Sequence, residues 1–559
     1  MLLVLQGNEI VKKTTMMLIK NRWQRLAALL LTLAVSLPGF GQGLDYESRI
    51  ISHAIRQEPP DLNTLTTTDT TSGMVLDHVM EGMLTYNPEG RLVGGVAERW
   101  ELRADGATFW LREDAKWSDG SPVTAHDFEF AWKKVVDPGV ASEYAFLMFP
   151  VVNAQAINEG KMPPSALGVR ALDDRTLEVK LHQPCPYFMG LTAFRTFFPV
   201  KESFYKERGQ RYAADAGDML YNGPFTLTGW VHGASMAMRK NGHYWNRDNI
   251  WLNGIDVPYI TEDANARMNL YRDNKIALAD ELVAESLNGA LQERMQIKTF
   301  LDGAVFFIEF NHRKSRLPHN QNLRKAIQSV FNTDDLVYKV LGNPGSFPVY
   351  TLFPRWAKGV EDVFVREYPA RKPELNTEVG RRYIEAAKRD LGVDKLPPIT
   401  LLADDSPNGQ KTAEFLQTLL KQTLDLDVRV DVQIFKQRLA KMTAGDFDMV
   451  VAGWGPDYDD LLTYGDFFAS YNLNNRGRYA SEAYDALVAK AQSSLDTRER
   501  MDTFGEMQRM IYDEATIVPL YERGKIYVQH PRVKGVLRRA VGGDPNFNFV
   551  TIEPEGQSK

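Results

Sequence analysis

The strongest constraint on the fold is the alternation of short apolar strands with amphipathic helices over residues 305–525. Strands are predicted at 304–310, 399–403, 427–434, 447–452, 516–521 and 525–529. Helices are predicted at 323–330, 333–340, 377–390, 410–424, 435–444 and 481–515. This alternation is typical of an α/β layer in which helices cover a sheet. We therefore expect a doubly wound α/β lobe here.

The first half of the chain has a different pattern, with short strands separated by Gly- and Asp-containing turns. Helices are predicted at 74–83, with Ser72 as N-cap, and at 124–136, where Phe128, Trp132 and Val135 share one face. A hairpin is predicted at 225–239. The 559 residues exceed what one hydrophobic core organises, so two or three lobes are expected. Because no low-complexity linker separates the two halves, we expect packed lobes with ordered crossings.

The N-terminus has the pattern of an export signal. Basic residues precede an apolar stretch at 26–37, and Gly39 and Gly41 offer a cleavage site before Gln42. The stretch is too short for a typical membrane-spanning helix, which needs about 20 residues. An uncleaved signal anchor is the alternative, and Met16 or Met17 offers an alternative start. No cysteine lies near the cleavage site, so we expect a protein of the Gram-negative periplasm without a lipid anchor.

Composition limits the partners and the chemistry. Cleavage after residue 41 leaves 61 basic and 71 acidic residues, a net charge of −10, which argues against nucleic acid and anionic membranes as partners. The single cysteine, Cys185, excludes an internal disulfide and a CxxC metal or redox site, and its apolar setting predicts a buried thiol. No G-x-S-x-G, Walker A, G-x-G-x-x-G or H-E-x-x-H motif occurs. We expect no catalytic site, no metal and no cofactor.

One segment has the composition of a binding site. Residues 450–460 read VVAGWGPDYDD, an apolar strand that ends in Gly and Trp before an acidic cluster. Ligands of α/β sheets bind beyond the carboxyl ends of strands. Trp454 and Tyr458 can supply an apolar wall, and Asp457 between them is suited to an ammonium ion. The alternative is a solvated acidic turn beside a core tryptophan.

Several segments together carry a resemblance to a known family. They are EGML at 81–84 with GVAERW at 95–100, LREDAKWSDGSPVTAHDF at 111–128, YNGPF at 221–225 with NGHYW at 241–245, LRKAI at 323–327, and ATIVPLY at 515–521. Over residues 50–550 the chain resembles the periplasmic oligopeptide- and dipeptide-binding proteins of ABC importers, bacterial extracellular solute-binding protein family 5. The resemblance implies capture of short peptides for an importer by a monomer that docks on inner-membrane permease subunits.

The family implies an α/β periplasmic solute-binding fold of class II, the large peptide-binding type. Three lobes are expected, with a two-crossing hinge near residues 305 and 526 and the ligand cleft between lobes I and III. The implied boundaries are 1–41 for the signal peptide, 42–80, 205–305 and 527–559 for lobe I, 81–204 for lobe II, and 306–526 for lobe III. Closure of such lobes encloses the ligand.

The resemblance also implies how a peptide is held. Its main chain pairs with exposed strand edges, and its side chains enter roomy pockets. Asp457 matches the aspartate that binds the α-ammonium. Tyr144 is expected at the lobe II contact to the ligand. Thr68 and Thr70 lie in the 66–72 stretch, which is expected to contact the peptide backbone.

The opposite end of the site departs from the family pattern. Phe435 stands where some relatives can carry a tryptophan, and Met442 and Val451 stand near positions where arginines meet a ligand carboxylate. Whether Lys436, Arg438 or Lys441 points inward is left open by the sequence. A longer, modified or murein-derived peptide fits this pattern. The alternatives are a nickel complex, haem or oligosaccharide on the same scaffold, and an exported hydrolase or chaperone-like protein.

Overall fold

Strands and helices alternate through the part of the chain that the computed structural model describes, residues 43–556. The strands are β1 (Leu44–Asp45), β2 (Ile50–Ile55), β3 (Leu84–Tyr86), β4 (Leu92–Gly94), β5 (Ala97–Arg103), β6 (Gly106–Leu111), β7 (Val169–Asp173), β8 (Thr176–Lys180), β9 (Phe225–Val231), β10 (Ser235–Lys240), β11 (Gly254–Ile260), β12 (Leu278–Ala279), β13 (Ile297–Phe310), β14 (Phe347–Pro348), β15 (Ile399–Asp404), β16 (Val428–Gln433), β17 (Met449–Trp454), β18 (Ile517–Gln529), β19 (Val533–Lys534) and β20 (Thr551–Ile552).

The α-helices are α1 (Thr70–Val79), α2 (Ala125–Val136), α3 (Ala154–Asn158), α4 (Phe188–Leu191), α5 (Glu202–Arg208), α6 (Ala264–Arg272), α7 (Ala284–Gln292), α8 (Gln321–Gln328), α9 (Thr333–Asp335), α10 (Phe364–Glu367), α11 (Thr377–Leu391), α12 (Pro407–Leu424), α13 (Phe435–Ala444), α14 (Leu462–Gly465), α15 (Glu482–Ser493) and α16 (Thr497–Asp513). Short 3₁₀ turns join several of them. The predicted signal peptide lies outside the described residues.

Two of the larger sheets come from the first half of the chain. One has the strand order β1-β2-β11-β10-β9, in which β2 and β11 are parallel and the other neighbours antiparallel. The other is the antiparallel sheet β5-β6-β8-β7. Helix α2 packs beside it and buries Phe128, Trp132 and Val135, as the sequence predicts.

The third large sheet has the order β12-β18-β13-β17-β15-β16, with β14 on β18. Strand β15 is parallel to both β16 and β17, whereas β13 pairs antiparallel with β17 and with β18. The predicted doubly wound layer is therefore a parallel core of three strands, extended by long antiparallel strands. Because β16 and β17 lie on opposite sides of β15, the strand order reverses at β15.

Strands β13 and β18 pass through the residues where the hinge is expected. The two strands predicted at 516–521 and 525–529 are one strand, since β13 offers a continuous partner on which the ladder proceeds. The pairing shifts register between Leu301 and Val305, and Gly303 in this bulge has φ +73°. The lobe boundaries, including those at 305 and 526, stay a prediction.

Three predicted helices differ from the structure. Helix α1 begins at Thr70 because Asp69, not Ser72, is its N-cap: Asp69 Oδ1 accepts from the Ser72 amide at 2.9 Å, and Oδ2 accepts from the Ser72 hydroxyl at 2.6 Å. The predicted helix at 333–340 is the short α9 followed by a π-helix at Leu336–Leu341. The helical region at 481–515 is divided where Asp496 caps α16.

Residues 43–556 contain neither a candidate membrane span nor a candidate metal cluster. No described helix has the length and apolar character needed to cross a membrane. Within the same range, no group of three or more His, Cys, Asp or Glu side chains is arranged to hold a metal ion.

Candidate functional site

A cavity of about 280 Å³ lies at the carboxyl ends of β15 and β17, where the strand order reverses. Ligands of open α/β sheets bind at such a switch point. Among the other parts of the chain that form its walls are residues 53–57 and 68–74, helix α13, and residues 539–545. The cavity is thus assembled from both halves of the chain.

Asp457 is a buried carboxylate in this cavity, with 6% of its surface exposed. Its Oδ1 accepts a hydrogen bond from the Tyr144 hydroxyl at 2.7 Å, and its backbone amide donates to Thr463 Oγ1 at 3.0 Å. Burial raises the pKa of Asp457 to about 7, although Arg195 and the Tyr144 hydroxyl act in the opposite direction. No lysine, arginine or histidine among residues 43–556 forms an ion pair with it within 4.0 Å. A buried anion without a paired cation favours a cationic ligand group.

The structure brings most of the predicted site residues to this cavity. Tyr144, Thr68, Thr70, Trp454 and Phe435 all line it together with Asp457. The Tyr144 hydroxyl also lies 3.4 Å from the Thr68 carbonyl, so it joins the threonine-rich segment to Asp457. The Trp454 indole donates to the Thr463 carbonyl at 2.7 Å, which fixes the plane of its ring.

Tyr458 is a correction to the predicted site. Its side chain does not line the cavity but is 1% exposed and stacks on Tyr187, with ring centroids 5.5 Å apart. Asp457 and Tyr458 lie in a bend that follows β17, and their side chains point to different surfaces. The apolar wall next to Asp457 comes instead from Trp454 and Phe194.

Strand β17 has an edge that no other strand covers near Asp457. Strand β15 pairs with β17 only at Met449 and Val450, whereas the pairing of β17 with β13 continues to Trp454. The stretch from Val451 to Trp454 therefore offers main-chain groups on its β15 side. An extended peptide can add to such an edge by main-chain hydrogen bonds.

Arg438 settles the open question about the basic residues of α13. It is 8% exposed and lines the cavity, whereas Lys436 is exposed and Lys441 pairs with Asp431 at 2.5 Å. Arg438 Nη1 donates to the Val451 carbonyl at 2.9 Å, its Nε has no hydrogen-bond partner, and Asp404 lies 3.7 Å away. Nε faces Asp404 and Nη1 is hydrogen-bonded to Val451, so Nη2, which also has no hydrogen-bond partner among residues 43–556, is the nitrogen that can meet an anionic ligand group.

Sequence reasoning missed an ionic cluster that borders the cavity beside the bulge of β13. Arg523 pairs with Asp302 at 2.5 Å, Lys525 with Asp302 at 3.3 Å, and Arg56 with Glu281 at 2.6 Å. Burial alone would raise the pKa of Glu281, but Arg56, Arg523 and Lys525 together hold it below its usual value. The only sequence signal for this ionic cluster was the charge alternation in ERGK at 522–525. That pattern does not identify the acidic partners of these residues.

Sequence reasoning also missed Arg195, which lies beside Asp457. This arginine is 6% exposed, and its guanidinium carbon is 4.4 Å from the centre of the Phe194 ring and 5.9 Å from that of Tyr144. It lines the cavity, and the positive charge acts on Asp457 through space. The sequence signal that could have identified Arg195 is its position as the lone basic residue in the apolar segment LTAFRTFFPV at 191–200.

Comparison with known proteins gives a consistent result. The sequence model described as bacterial extracellular solute-binding proteins, family 5 Middle, matches residues 91–475. The chain is 30% identical to the oligopeptide-binding protein OppA of Bacillus subtilis, covering 94% of this chain and 98% of the relative. It is 31% identical to the periplasmic oligopeptide-binding protein OppA of Salmonella typhimurium, with 84% and 86% covered. It is 28% identical to the periplasmic murein peptide-binding protein MppA of Escherichia coli, with 91% and 94% covered.

Solved structures agree with these relatives. Listeria monocytogenes OppA bound to peptide superposes with a TM-score of 0.84 at 29% identity, over 91% of this chain and 99% of that one. The Escherichia coli murein tripeptide-binding protein MppA gives 0.83 at 27% identity, with 91% and 99% covered. The unliganded open form of MppA gives only 0.59 at 27% identity, with 88% and 94% covered. The predicted fold class is confirmed.

Proposed function

The chain belongs to the bacterial extracellular solute-binding proteins of family 5, and we propose that it captures short peptides in the cavity beside Asp457. The proposal extends to a periplasmic, monomeric receptor, exported by a cleavable signal peptide, that delivers its ligand to the permease subunits of an ABC importer. Its role is binding and release, without turnover of the peptide. The lobes and boundaries given above are part of the same proposal.

The observation that carries the proposal is the buried carboxylate of Asp457 in a closed cavity. One of its oxygens is held by Tyr144, and none of its oxygens meets a cation within ion-pairing distance among residues 43–556. The α-ammonium of a peptide supplies the missing charge and hydrogen-bond donors. Because Tyr144 and Asp457 come from distant parts of the chain, this contact also favours the closed arrangement.

The main chain of the peptide would continue along β17. The uncovered edge from Val451 to Trp454 supports pairing of an extended ligand, since its groups have no strand partner on that side. Such pairing uses only the main chain of the peptide, and the peptide side chains remain in the cavity. The site can therefore bind peptides of many different sequences. Phe435, Thr68 and Thr70 line the space that these side chains would enter.

The carboxyl end of the ligand would meet Arg438. This guanidinium contacts the Val451 carbonyl, whereas Asp457 follows β17 at the other end of the free edge. The free edge from Val451 to Trp454 has four residues, and an extended chain advances about 3.3 Å per residue, so a tri- or tetrapeptide matches its length. A murein-derived peptide with a free amino group belongs to the same class of ligand.

Native mass spectrometry of the purified mature protein tests the function. We expect a distribution of bound masses that fragment into peptides, and an Asp457→Ala variant that has lost most of them. A single non-peptide mass that survives the substitution would instead assign a different solute to this scaffold. Peptides retained equally by both proteins would refute the role of Asp457.

A further inference from the structure

Arg195 is a buried cation whose charge no protein group within residues 43–556 neutralises directly. No carboxylate in that range lies within 4.0 Å of its nitrogens, and its buried Nε has no hydrogen-bond partner. Its guanidinium lies against the backbone of Gly73, where an added Cβ would be 2.6 Å from Nη1. Because burial of an unpaired charge is unfavourable, a ligand anion at this position would be strongly favoured.

Arg195 and Asp457 stand together where the main cavity meets a second chamber of about 180 Å³. Both residues line both spaces, and Met80, Phe198 and Trp245 continue the wall of the second chamber. When the α-ammonium of a peptide pairs with Asp457, its first side chain therefore starts at this junction. The second chamber is the space available to that side chain.

Charged side chains of both signs line the second chamber. They are Arg195 and Arg539, and the acids Asp77, Glu81 and Asp457. The carboxylate of Glu81 accepts hydrogen bonds from the Tyr244 hydroxyl at 2.6 Å and from the Trp245 indole at 2.7 Å, and Asp77 accepts one from the Gly543 amide. Because none of these acids lies within 4.0 Å of an Arg195 nitrogen, the guanidinium keeps hydrogen-bonding capacity for a ligand carboxylate.

We propose that Arg195 selects peptides whose first residue carries a carboxylate beside the α-ammonium. The inference rests on the proposed function and adds the class of ligand. An acidic first side chain and a γ-linked glutamyl residue, whose α-carboxylate stays free, share this chemistry. In both, Asp457 binds the ammonium and Arg195 binds the carboxylate, so that two ion pairs form in one enclosed site.

Isothermal titration calorimetry on the full mature protein tests the inference with Glu-Ala-Ala, its isostere Gln-Ala-Ala, γ-Glu-Ala-Ala and Ala-Ala-Ala. We expect one or both glutamyl peptides to bind roughly 10- to 100-fold more tightly than Gln-Ala-Ala. Comparison of Glu-Ala-Ala with γ-Glu-Ala-Ala shows whether the site binds a side-chain carboxylate or the free α-carboxylate of a γ-linked residue. Arg195→Met should reduce this ratio to about 1, because the cation that pairs with the ligand carboxylate is gone. Arg91→Met removes an exposed charge of the same sign and should leave the ratio unchanged.

The outcomes separate this inference from the proposed function. Binding of Gln-Ala-Ala as tight as that of both glutamyl peptides would overturn the inference while leaving peptide capture intact. A preference that persists in Arg195→Met would assign it to another group and overturn the role of Arg195. If none of the four peptides binds, the proposed function itself fails. The wild-type ratio needs no variant, so it decides the matter even if Arg195→Met does not fold.

Discussion

Replacing Asp457 by Asn removes the negative charge of the site with almost no change in shape. The side chain is 6% exposed, and an amide oxygen can still accept from Tyr144. The ligand's ammonium would then be enclosed beside Arg195 without its counter-ion. Removing one partner of an enclosed pair costs about 3–5 kcal/mol. This corresponds to a loss of roughly 140- to 3,700-fold in the affinity for Ala-Ala-Ala.

The assay is calorimetry at pH 7, which measures the affinity of each protein for Ala-Ala-Ala and for its N-acetylated form. Acetylation removes the ammonium from the peptide, just as the substitution removes the carboxylate from the protein. If these two groups pair, the two losses do not add in a double-mutant cycle. Asp459→Asn is the matched control, because Asp459 is an exposed acid of the same turn that does not line the cavity. Affinity of Asp457→Asn within threefold of the wild type would refute the reasoning.

Three further predictions follow from the same geometry. Burial raises the pKa of Asp457 to about 7, so the carboxylate that binds ammonium is present above this pH and is lost as the pH falls toward 4. Calorimetry of the wild type should therefore show an affinity for Ala-Ala-Ala that rises from pH 5 to 7, with release of a proton on binding. The affinity of Asp457→Asn should not change over this pH range. Arg438→Met should lower the affinity for Ala-Ala-Ala by roughly 10- to 100-fold, and should lower the affinity for its C-terminal amide much less. Equal losses of affinity for the two peptides would exclude Arg438 as the carboxylate contact. Gly303→Ala should lower the free energy of unfolding by about 2–4 kcal/mol in denaturant titration, because φ is +73° and a Cβ would lie 2.6 Å from Trp356 Nε1. Gly160→Ala, with φ +74° and open space around it, should cost only about 1–2 kcal/mol, and a loss as large as that of Gly303→Ala would show that crowding at the bulge is unimportant.

Local pattern predicted those parts of the fold whose structure depends on near neighbours. Helix α13 begins at Phe435 and ends at Ala444 as the sequence indicated, and the apolar face of α2 is buried as expected. Patterns failed where a distant partner decides the outcome. The continuous β18 exists because β13 supplies a ladder beside it, although Arg523 and Gly524 interrupt its apolar pattern. Helix α1 starts four residues early because the Asp69 side chain reaches forward to Ser72.

The candidate site divides in the same way. The motif around Trp454 and the resemblance it carries sufficed to select Asp457, because a motif fixes residue types at fixed spacing. The sequence could not show that Tyr458 faces Tyr187, that Arg438 turns inward while Lys436 does not, or that Arg195 shares a junction with Asp457. The direction of each of these side chains depends on which elements pack together. The same packing decides which charges lie close enough to act on Asp457 through space. The sequence by itself therefore determined the scaffold and one predicted anchor of the site. The tertiary structure decided which charges surround that residue, since Arg195 comes from a distant segment and the direction of Arg438 depends on how α13 packs.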